Sequence, residues 1–406
     1  MTTDSYSALS SKNFRTFLYG NIFSVLGVWI QRLALGWHAW QLSESSLVVG
    51  LVAAAQFLPL ILLTPFFGVL VDRVNTRSAA IVMHAVLAAI ATILGILTYT
   101  GHMTAEWLLF LAFMHGLANS AYSPVRLALI PDLVNKKKFP SAVAVSSIVF
   151  NVSRFVGPGI AGAVVALYGL GSAYMINAVT YLPVIYVLSI IRIDEHEIHA
   201  ANKKPYFDQL IEGLRYTRDH APIRQIILLA GVSNFFGRGI LELMPAFAAL
   251  IFDGGSGVLA ALMSAAGVGA ILASLLFSSR SFQAHLHGLV VIGALGVGVS
   301  IILFAYVGNL TMGVIVVALL GLFASLVSIG SQTEVQIHVE NRLRGRVMSL
   351  WTLTIMGGPA VGSVVAGWLA EDIGSTYTSL AFAVSCLLLV LWVGIKKPNP
   401  HAEVKE

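Results

Sequence analysis

Four ionisable residues lie inside long apolar stretches of the sequence, namely Arg32, Arg154, Arg238 and Glu242. On insertion scales a charged side chain at the centre of a bilayer costs about 2.5–3.5 kcal/mol or more, so such residues face a protein interior or a cavity and have a partner. A carboxylate in this setting can take up a proton, and an arginine can bind an anion. These residues are therefore the first candidates for a solute site or a proton-coupling site.

Arg238 and Glu242 are four residues apart and would share one face of a helix. One interpretation is a structural ion pair between them. The other is that Glu242 takes up the coupled proton and, once neutral, releases Arg238 to hold a solute. The sequence leaves both interpretations open.

Arg32 has no carboxylate three or four residues away in either direction. Its partner must come from another helix or from a solute, unless its side chain extends to the outer membrane boundary. Arg154 precedes Gly157-Pro158, and a proline leaves a helix carbonyl without its usual donor. For Arg154 we expect a structural role, hydrogen bonding to such carbonyls.

Three further residues complete the candidate cavity. For His115 we expect a buried neutral ring bonded to a backbone carbonyl, the alternative being a second titrating site, because histidine changes charge near physiological pH. Trp29 and Phe235 lie deep in apolar stretches. They would either contact an aromatic or macrocyclic solute or serve as packing residues.

Composition limits the class of protein to which these residues belong. Of the 406 residues, 57% are hydrophobic and 11% charged, whereas a soluble domain carries about 25% charged residues. The basic residues are scattered through short loops, so we expect no nucleic-acid partner. The single cysteine, Cys386, excludes an intramolecular disulfide and a multi-cysteine metal site. No phosphate-binding loop or hydrolytic triad stands out, so we expect neither a cofactor, a metal nor an enzyme.

The apolar stretches predict an all-α membrane protein with twelve transmembrane helices, since one crossing needs about 20 apolar residues. The predicted spans are 16–40, 47–71, 78–99, 106–128, 139–167, 173–191, 223–250, 257–278, 288–306, 311–335, 346–370 and 375–395. Of 24 Lys and Arg residues, 21 fall in the termini or at the loops after even-numbered spans. Cytoplasmic loops are rich in these residues, so we expect both termini in the cytoplasm of a bacterial inner-membrane protein.

The chain is predicted to consist of two halves. Residues 1–191 form an N-terminal six-helix half, 192–222 a cytoplasmic linker with a surface helix around Tyr206–Arg218, and 223–406 a C-terminal six-helix half. The same residue types recur in the two halves, which we call sequence echoes, at offsets of 207 (Arg73 and Arg280), 206 (Arg32 and Arg238) and 201 (Gly157 and Gly358) residues. Repeated halves about a central site are a common plan of secondary transporters.

The loop after the second span contains Gly68, Asp72, Arg73, Asn75 and Arg77. It resembles the G-x-x-x-D-R-x-G-R-R signature of the major facilitator superfamily, with asparagine in place of the turn glycine. Asparagine tolerates a left-handed conformation, so we expect the turn to survive. The resemblance implies the two-halved fold of that superfamily.

The same resemblance implies a cytoplasmic gate. Asp72, Arg73 and Arg77 would lie there with Arg126, and Asp72 would face Arg126 and the start of the eleventh span. The alternative for these charges is a role in membrane orientation alone. The motif Gly157-Pro158 with Gly162 resembles the end of the antiporter G-P-x-x-G motif, and Gly157-Pro158 is expected to kink the fifth span.

Segments starting at Trp29, Gln56, Ser123 and Arg344 resemble the enterobactin-exporter and macrolide-efflux branch of the superfamily. We therefore expect a monomeric, proton-coupled exporter of a small organic solute by alternating access. Three deep arginines against one glutamate favour a siderophore-like anion, with a macrolide-type drug as the other solute class. The alternatives are an importer of a siderophore-type solute, or a non-transporting sensor or assembly protein.

Overall fold

A computed structural model describes residues 7–71, 73–191, 206–277 and 286–395. Within these ranges the regular secondary structure is helical and contains no strand. The longer helices in chain order are α1 (Lys12–Ser43), α2 (Ser46–Val71), α3 (Thr76–Tyr99), α4 (Ala105–Asp132), α5 (Phe139–Ile190), α6 (Tyr206–Asp219), α7 (Ala221–Ser233), α8 (Gly239–Glu242), α9 (Met244–Leu250), α10 (Ser256–Phe277), α11 (Leu286–Ala305), α12 (Leu310–His338) and α13 (Asn341–Ile395).

Eight helices of the described chain are long and apolar enough to cross a membrane. A ninth is added if Ala221–Glu242 and Met244–Leu250, which are bent by 50°, form one span. Two of the eight, α5 and α13, have 52 and 55 residues, more than one crossing needs. The protein is therefore a multi-span helical membrane protein, and the count of twelve stays a prediction.

A single glycine interrupts each of the two longest helices. Gly169 in α5 has φ 80° and ψ 173°, and Gly374 in α13 has φ 82° and ψ 164°. Side-chain-bearing residues avoid this backbone region, so glycine is needed at both turns. The backbone dihedrals stay helical through Pro158, so the interruption in α5 lies at Gly169 rather than at the Gly157-Pro158 pair.

The segment predicted as one span over 223–250 is interrupted twice. Asn234–Arg238 forms a π-helical turn, and the chain breaks at Leu243 before α9. Pro245 explains the break, because it offers no N–H to the carbonyl four residues earlier. A π turn inserts an extra residue and changes which side chains share a helix face.

The described chain divides into two compact units. The first comprises Met1–Asn202 and Glu242–Gly267, and the second comprises Lys203–Leu241 and Val268–Glu406. In the first, α1 lies against α5 so closely that a Cβ on Gly20 would stand 2.8 Å from the Cα of Val184. A buried hydrogen bond of 2.6 Å from Asn177 to Gln31 joins the same helices.

In the second unit, α7, α12 and α13 share an apolar core that includes Ile223, Val335 and Val347.

The helix predicted around Tyr206–Arg218 is observed as α6, and residues 192–205 of the predicted linker lie outside the described ranges. Arg346 of α13 donates a hydrogen bond to Glu212 of α6. Cys386 is fully buried in α13.

Candidate functional site

Arg32 and Glu242 form an ion pair in the first unit, in which Arg32 donates a hydrogen bond to Oε1 of the carboxylate. Their side chains are 25% and 16% exposed, so the pair is largely shielded. Arg32 comes from the middle of α1, and Glu242 ends α8 next to the break at Leu243. The partner that the sequence required from another helix is therefore Glu242.

This pairing differs from the interpretation in which Glu242 forms a structural ion pair with Arg238 within one helix. The sequence argument assumed regular α-helical spacing from Arg238 to Glu242. This stretch lies between a π-helical turn over Asn234–Arg238 and the break at Leu243. The pair that the structure shows is Glu242 with Arg32, and Arg238 belongs to the second unit.

Two aromatic rings flank the Arg32 guanidinium. Its Cζ lies 5.5 Å from the ring centroid of Trp29 and 5.0 Å from that of Phe57. Both distances fall within the range of cation–π attraction, which holds a guanidinium in place without neutralising it. The Arg32 guanidinium therefore lies near two aromatic rings and is paired with the Glu242 carboxylate.

His115 lies close enough to Arg32 to interact with it electrostatically. Its ring is buried, and both ring nitrogens lie 3.2–3.3 Å from the side-chain amide of Asn119. The amide also donates to the carbonyl of His115 at 2.9 Å. The histidine is therefore held by a side-chain amide one turn along α4, rather than by the backbone carbonyl that the sequence led us to expect.

Arg154 of α5 also faces Trp29, with its Cζ 5.9 Å from the ring centroid. Trp29 therefore contacts two guanidinium groups, those of Arg32 and Arg154. Its indole Nε1 is buried and has no hydrogen-bond partner among the described residues. We refer to Trp29, Arg32, Phe57, His115, Arg154 and Glu242 together as the Arg32 site.

Glycines bring the helices of this site together. A Cβ on Gly157 would lie 2.5 Å from the Cβ of Trp29, and one on Gly116 would lie 2.5 Å from the carbonyl oxygen of Gln56. A Cβ on Gly162 would lie 2.3 Å from the Cβ of Ala260. The glycines around Pro158 thus permit close contact of α5 with α1 and α10.

Phe235 and Arg238 belong to the second unit. The Phe235 ring stacks on Phe382 at 5.9 Å and contacts Phe236 edge-on at 4.8 Å. A Cβ on Gly362 would lie 2.0 Å from the carbonyl oxygen of Phe235. The aromatic residue singled out as a solute contact therefore packs against α13.

The residues of the predicted gate differ in their exposure and in their hydrogen-bond partners. Asp72 lies outside the described ranges, so its contact with Arg126 stays a prediction. Arg73 is exposed and Arg126 is half-buried. Arg77 donates from Nε to the carbonyl of Leu188 at 2.6 Å and from its terminal nitrogen to the carbonyl of Ser189. Arg77 therefore caps the end of α5, where a cation is also favoured by the helix dipole.

Two details of this loop differ from the sequence expectation. Asn75 is not left-handed: its φ is −66° and ψ 115°, and its side chain accepts a hydrogen bond from the Ser78 amide at the start of α3. It is the N-cap of that helix, a role that asparagine fills well. A Cβ on Gly68 would meet no atom within 4 Å, so no close contact requires the glycine in this conformation.

Residues 3–406 match the family model described as a transmembrane secretion effector, a major facilitator family. The chain belongs to the transmembrane secretion effector family. This membership confirms the resemblance noted in the sequence and makes the protein a membrane transporter.

Relatives of this transporter match it over nearly their whole lengths. The staphyloferrin A transporter of Staphylococcus aureus is 22% identical over 93% of this chain and 94% of its own. Macrolide efflux protein A of Streptococcus pyogenes is 21% identical over 93% of this chain and 94% of its own. The enterobactin exporter EntS of Shigella boydii is 23% identical over 94% of this chain and 90% of its own.

Solved structures agree with the family at the level of the fold. The nucleoside transporter NupG matches with a TM-score of 0.71 at 14% identity, over 95% of the transporter described here and 98% of NupG. A bacterial homologue of the lysosomal transporter Spinster matches with a TM-score of 0.70 at 17% identity, over 95% and 96% of the two chains. At these identities the likeness shows the fold alone.

Sequence reasoning missed Phe57 of the Arg32 site and Asn119, the hydrogen-bond partner of His115. Phe57 lies in a segment already noted as similar to the branch, but an aromatic residue in an apolar span carries no signal of its own. Asn119 is one helical turn after His115, and that spacing would have identified it as a partner for the ring.

Proposed function

We propose that this transporter is a proton-coupled exporter of a small anionic metabolite of the siderophore type. It would act by alternating access in the bacterial inner membrane, with twelve spans in two halves and both termini cytoplasmic. The Arg32–Glu242 ion pair carries the proposal, because it joins a permanent cation to a group that can be neutralised by one proton.

Proton uptake and anion binding would be linked through Arg32. While Glu242 is ionised, it occupies the guanidinium and competes with any anionic solute. Protonation removes the charge that holds Arg32, so the guanidinium becomes free to bind the anion.

The charges and rings of the Arg32 site support this solute class. Arg32 and Arg154 carry two positive charges against the single negative charge of Glu242, so the site attracts an anion whenever Glu242 is neutral. Trp29 and Phe57 supply aromatic surface for an apolar or aromatic part of the solute. Relatives named for staphyloferrin A, enterobactin and macrolides are consistent with a large, oxygen-rich solute.

Alternating access would use the close contacts of the first unit. A Cβ on Gly36 would stand 2.8 Å from Cγ of Pro245, so α9 lies tightly against α1 on the far side of the ion pair. In the proposed orientation these contacts and the Gly162–Ala260 contact lie toward the outer face. Release of Arg32 from Glu242 would loosen them and favour opening to the outside. Asp72 and Arg126 remain the proposed cytoplasmic gate.

The test is solute-dependent proton movement in liposomes that contain the purified transporter. With enterobactin as the probe and a pH-sensitive dye inside, the wild type should give a proton flux whose direction opposes that of the solute. Glu242→Gln should abolish the coupled proton flux, because glutamine cannot be protonated in this range. Glu212→Gln is the matched control, since Glu212 also pairs with an arginine but lies on the surface helix α6.

Coupled flux that survives Glu242→Gln would disprove the assignment of the coupling group. If solute and protons move in the same direction, whichever way the proton gradient is imposed, the importer alternative would be favoured. An absence of flux for siderophores and macrolides, combined with metabolite levels unchanged in a deletion strain, would favour a sensor or assembly protein.

A further inference from the structure

A groove of about 540 Å³ lies in the second unit, where α6 meets the starts of α7 and α13. Its volume is within the range of about 300–1,000 Å³ that is usual for ligand sites. The lining is mostly aliphatic and consists of Leu214, Thr217, Arg218, Arg224, Ile227, Leu228, Leu350, Leu353 and Thr354. We call it the α6 groove, and it shares no residue with the Arg32 site.

The α6 groove has a charged end and an apolar end. On α7 it is lined by Arg224, in the first turn, and then by Ile227 and Leu228, one turn further along. On α6 it is lined by Leu214 and, at the end of the helix, by Arg218. None of the described lining residues is acidic. The groove therefore suits a molecule with an anionic group next to a hydrocarbon part.

The two arginines are held together at the charged end. The guanidinium of Arg224 donates a hydrogen bond to the backbone carbonyl of Arg218. Both residues are exposed, so their remaining donors can reach a ligand from the solvent side. Two arginines joined by this hydrogen bond, with no acid among the described lining residues, favour a headgroup of net negative charge over a zwitterionic one.

A buried hydroxyl in the lining lacks a partner. Thr217 is 6% exposed, and its Oγ1 makes no hydrogen bond within the described part of the chain. An unsatisfied buried hydroxyl is costly and calls for a ligand, an ion or a water. Because Thr217 lines the groove, a change of χ1 would be the route by which its hydroxyl meets an occupant.

The exposed face of α6 carries aliphatic side chains that could lie on a membrane surface. Ile211 and Leu214, one turn apart, are 54% and 58% exposed, while Gly213 between them lies against the Arg346 backbone, where a Cβ would stand 2.8 Å from the carbonyl oxygen. An amphipathic helix with exposed aliphatic residues and basic residues lies in the plane of the interface. Leu228 on α7 continues this apolar surface and is 43% exposed.

We propose that the α6 groove binds an anionic phospholipid, with one acyl chain along Leu214 and Leu228 and the phosphate on Arg218 and Arg224. The charge pattern selects this occupant over a neutral lipid. It also fits the cytoplasmic leaflet, which is rich in anionic lipids and attracts basic residues next to membrane-spanning helices. The lipid supplies Thr217 with a hydrogen-bond acceptor. A lipid in this place would fasten α6 to α7 and α13.

The test uses the full-length transporter purified in detergent, with phosphatidylglycerol as the probe and phosphatidylcholine of the same acyl chains for comparison. Bound lipid is counted by native mass spectrometry, and the shift in melting temperature gives the apparent affinity. Phosphatidylglycerol should bind and stabilise the wild type more strongly. Replacing both Arg218 and Arg224 with glutamine should weaken its binding by about 30-fold, the loss expected for two arginine contacts.

A matched control is available in Arg215 and Arg342, two exposed arginines outside the groove. Their double glutamine variant loses the same net charge and should keep wild-type lipid binding. Equal losses in the two double variants, or equal binding of the two lipids, would overturn the proposal. So would displacement of the lipid by glycerol 3-phosphate alone, which would mark a soluble anion site.

Thr217→Val provides a second, independent variant of nearly the same shape. Removing an unpaired buried hydroxyl should leave the lipid-free melting temperature unchanged or raise it. The stabilisation by phosphatidylglycerol should nevertheless become smaller, because the lipid loses a donor. An unchanged lipid effect would contradict the role assigned to Thr217.

Discussion

At the scale of single residues, the decisive feature is the partner of Glu242. The sequence singles out Arg32, Arg238 and Glu242 as deep charges, because each interrupts an apolar stretch. It did not identify which arginine pairs with the carboxylate. The carboxylate lies between a π-helical turn and a proline break, neither of which the hydropathy of the sequence indicates.

The Arg32–Glu242 pair predicts strong energetic coupling between the two residues. Arg32→Gln and Glu242→Gln should each destabilise the protein by about 3–5 kcal/mol, since either one leaves an unpaired charge in a shielded place. The double variant should lose less than the sum of the two. Melting temperatures of the detergent-purified variants measure this double-mutant cycle.

A comparison pair exists within the same chain. Arg346 and Glu212 also form an ion pair, but Glu212 is 34% exposed, and the corresponding cycle should give a coupling of about 0–1 kcal/mol. Strictly additive effects at Arg32 and Glu242 would show that the two side chains do not interact in the folded protein.

At the scale of helices, glycines determine which elements touch. The sequence predicted most helix positions to within a few residues, because apolar runs and polar breaks mark them directly. It did not predict the π turn, the break at Leu243 or the role of Asn75 as a helix cap. These features depend on local hydrogen bonding and on packing partners distant in the sequence, which hydropathy does not report.

Gly157 and Gly159, the two glycines that flank Pro158, should respond differently to substitution by alanine. A Cβ on Gly157 meets Trp29 at 2.5 Å, whereas one on Gly159 meets only the Ser264 hydroxyl at 3.7 Å. Gly157→Ala should therefore cost about 1–3 kcal/mol through overpacking and displace Trp29. Gly159→Ala should be nearly neutral.

Thermal unfolding in detergent and the tryptophan emission of the two glycine variants would measure this difference. The Gly159 variant controls for the general effect of adding a methyl group to α5. A neutral Gly157→Ala would show that α1 and α5 are further apart than described.

At the scale of the whole molecule, the two longest helices carry the same interruption. Gly169 and Gly374 are 205 residues apart and have nearly identical backbone angles. This spacing falls within the offsets of 201 to 207 seen in the sequence echoes, so it supports two repeated halves. The echoes could be recognised from residue types, but the shared turn geometry could not, because the chain contains 37 glycines.

The orientation of the chain can be tested with single cysteines, because Cys386 is buried and should not react with a membrane-impermeant maleimide. The charge distribution predicts that His102→Cys and Gly308→Cys react in intact spheroplasts. Lys137→Cys and Arg342→Cys should react only after the membrane is permeabilised. All four positions are exposed.

The wild type, with its buried thiol, provides the background for this labelling. Reaction of Lys137→Cys in intact spheroplasts, with His102→Cys protected, would reverse the proposed orientation. A mixed pattern within either pair would contradict the number of spans between its two positions.

The turn at Gly169 also affects how the chain enters the membrane during synthesis. Between Arg154 and Arg192 the sequence contains no Lys, Arg, Asp or Glu. The turn at Gly169 and the whole second helix can therefore enter the hydrocarbon layer without a charged group, and Arg154 in the first helix is the one charge that this pair of helices carries into it. Insertion of this hairpin would depend mainly on apolar partitioning and would respond to the membrane voltage only through Arg154.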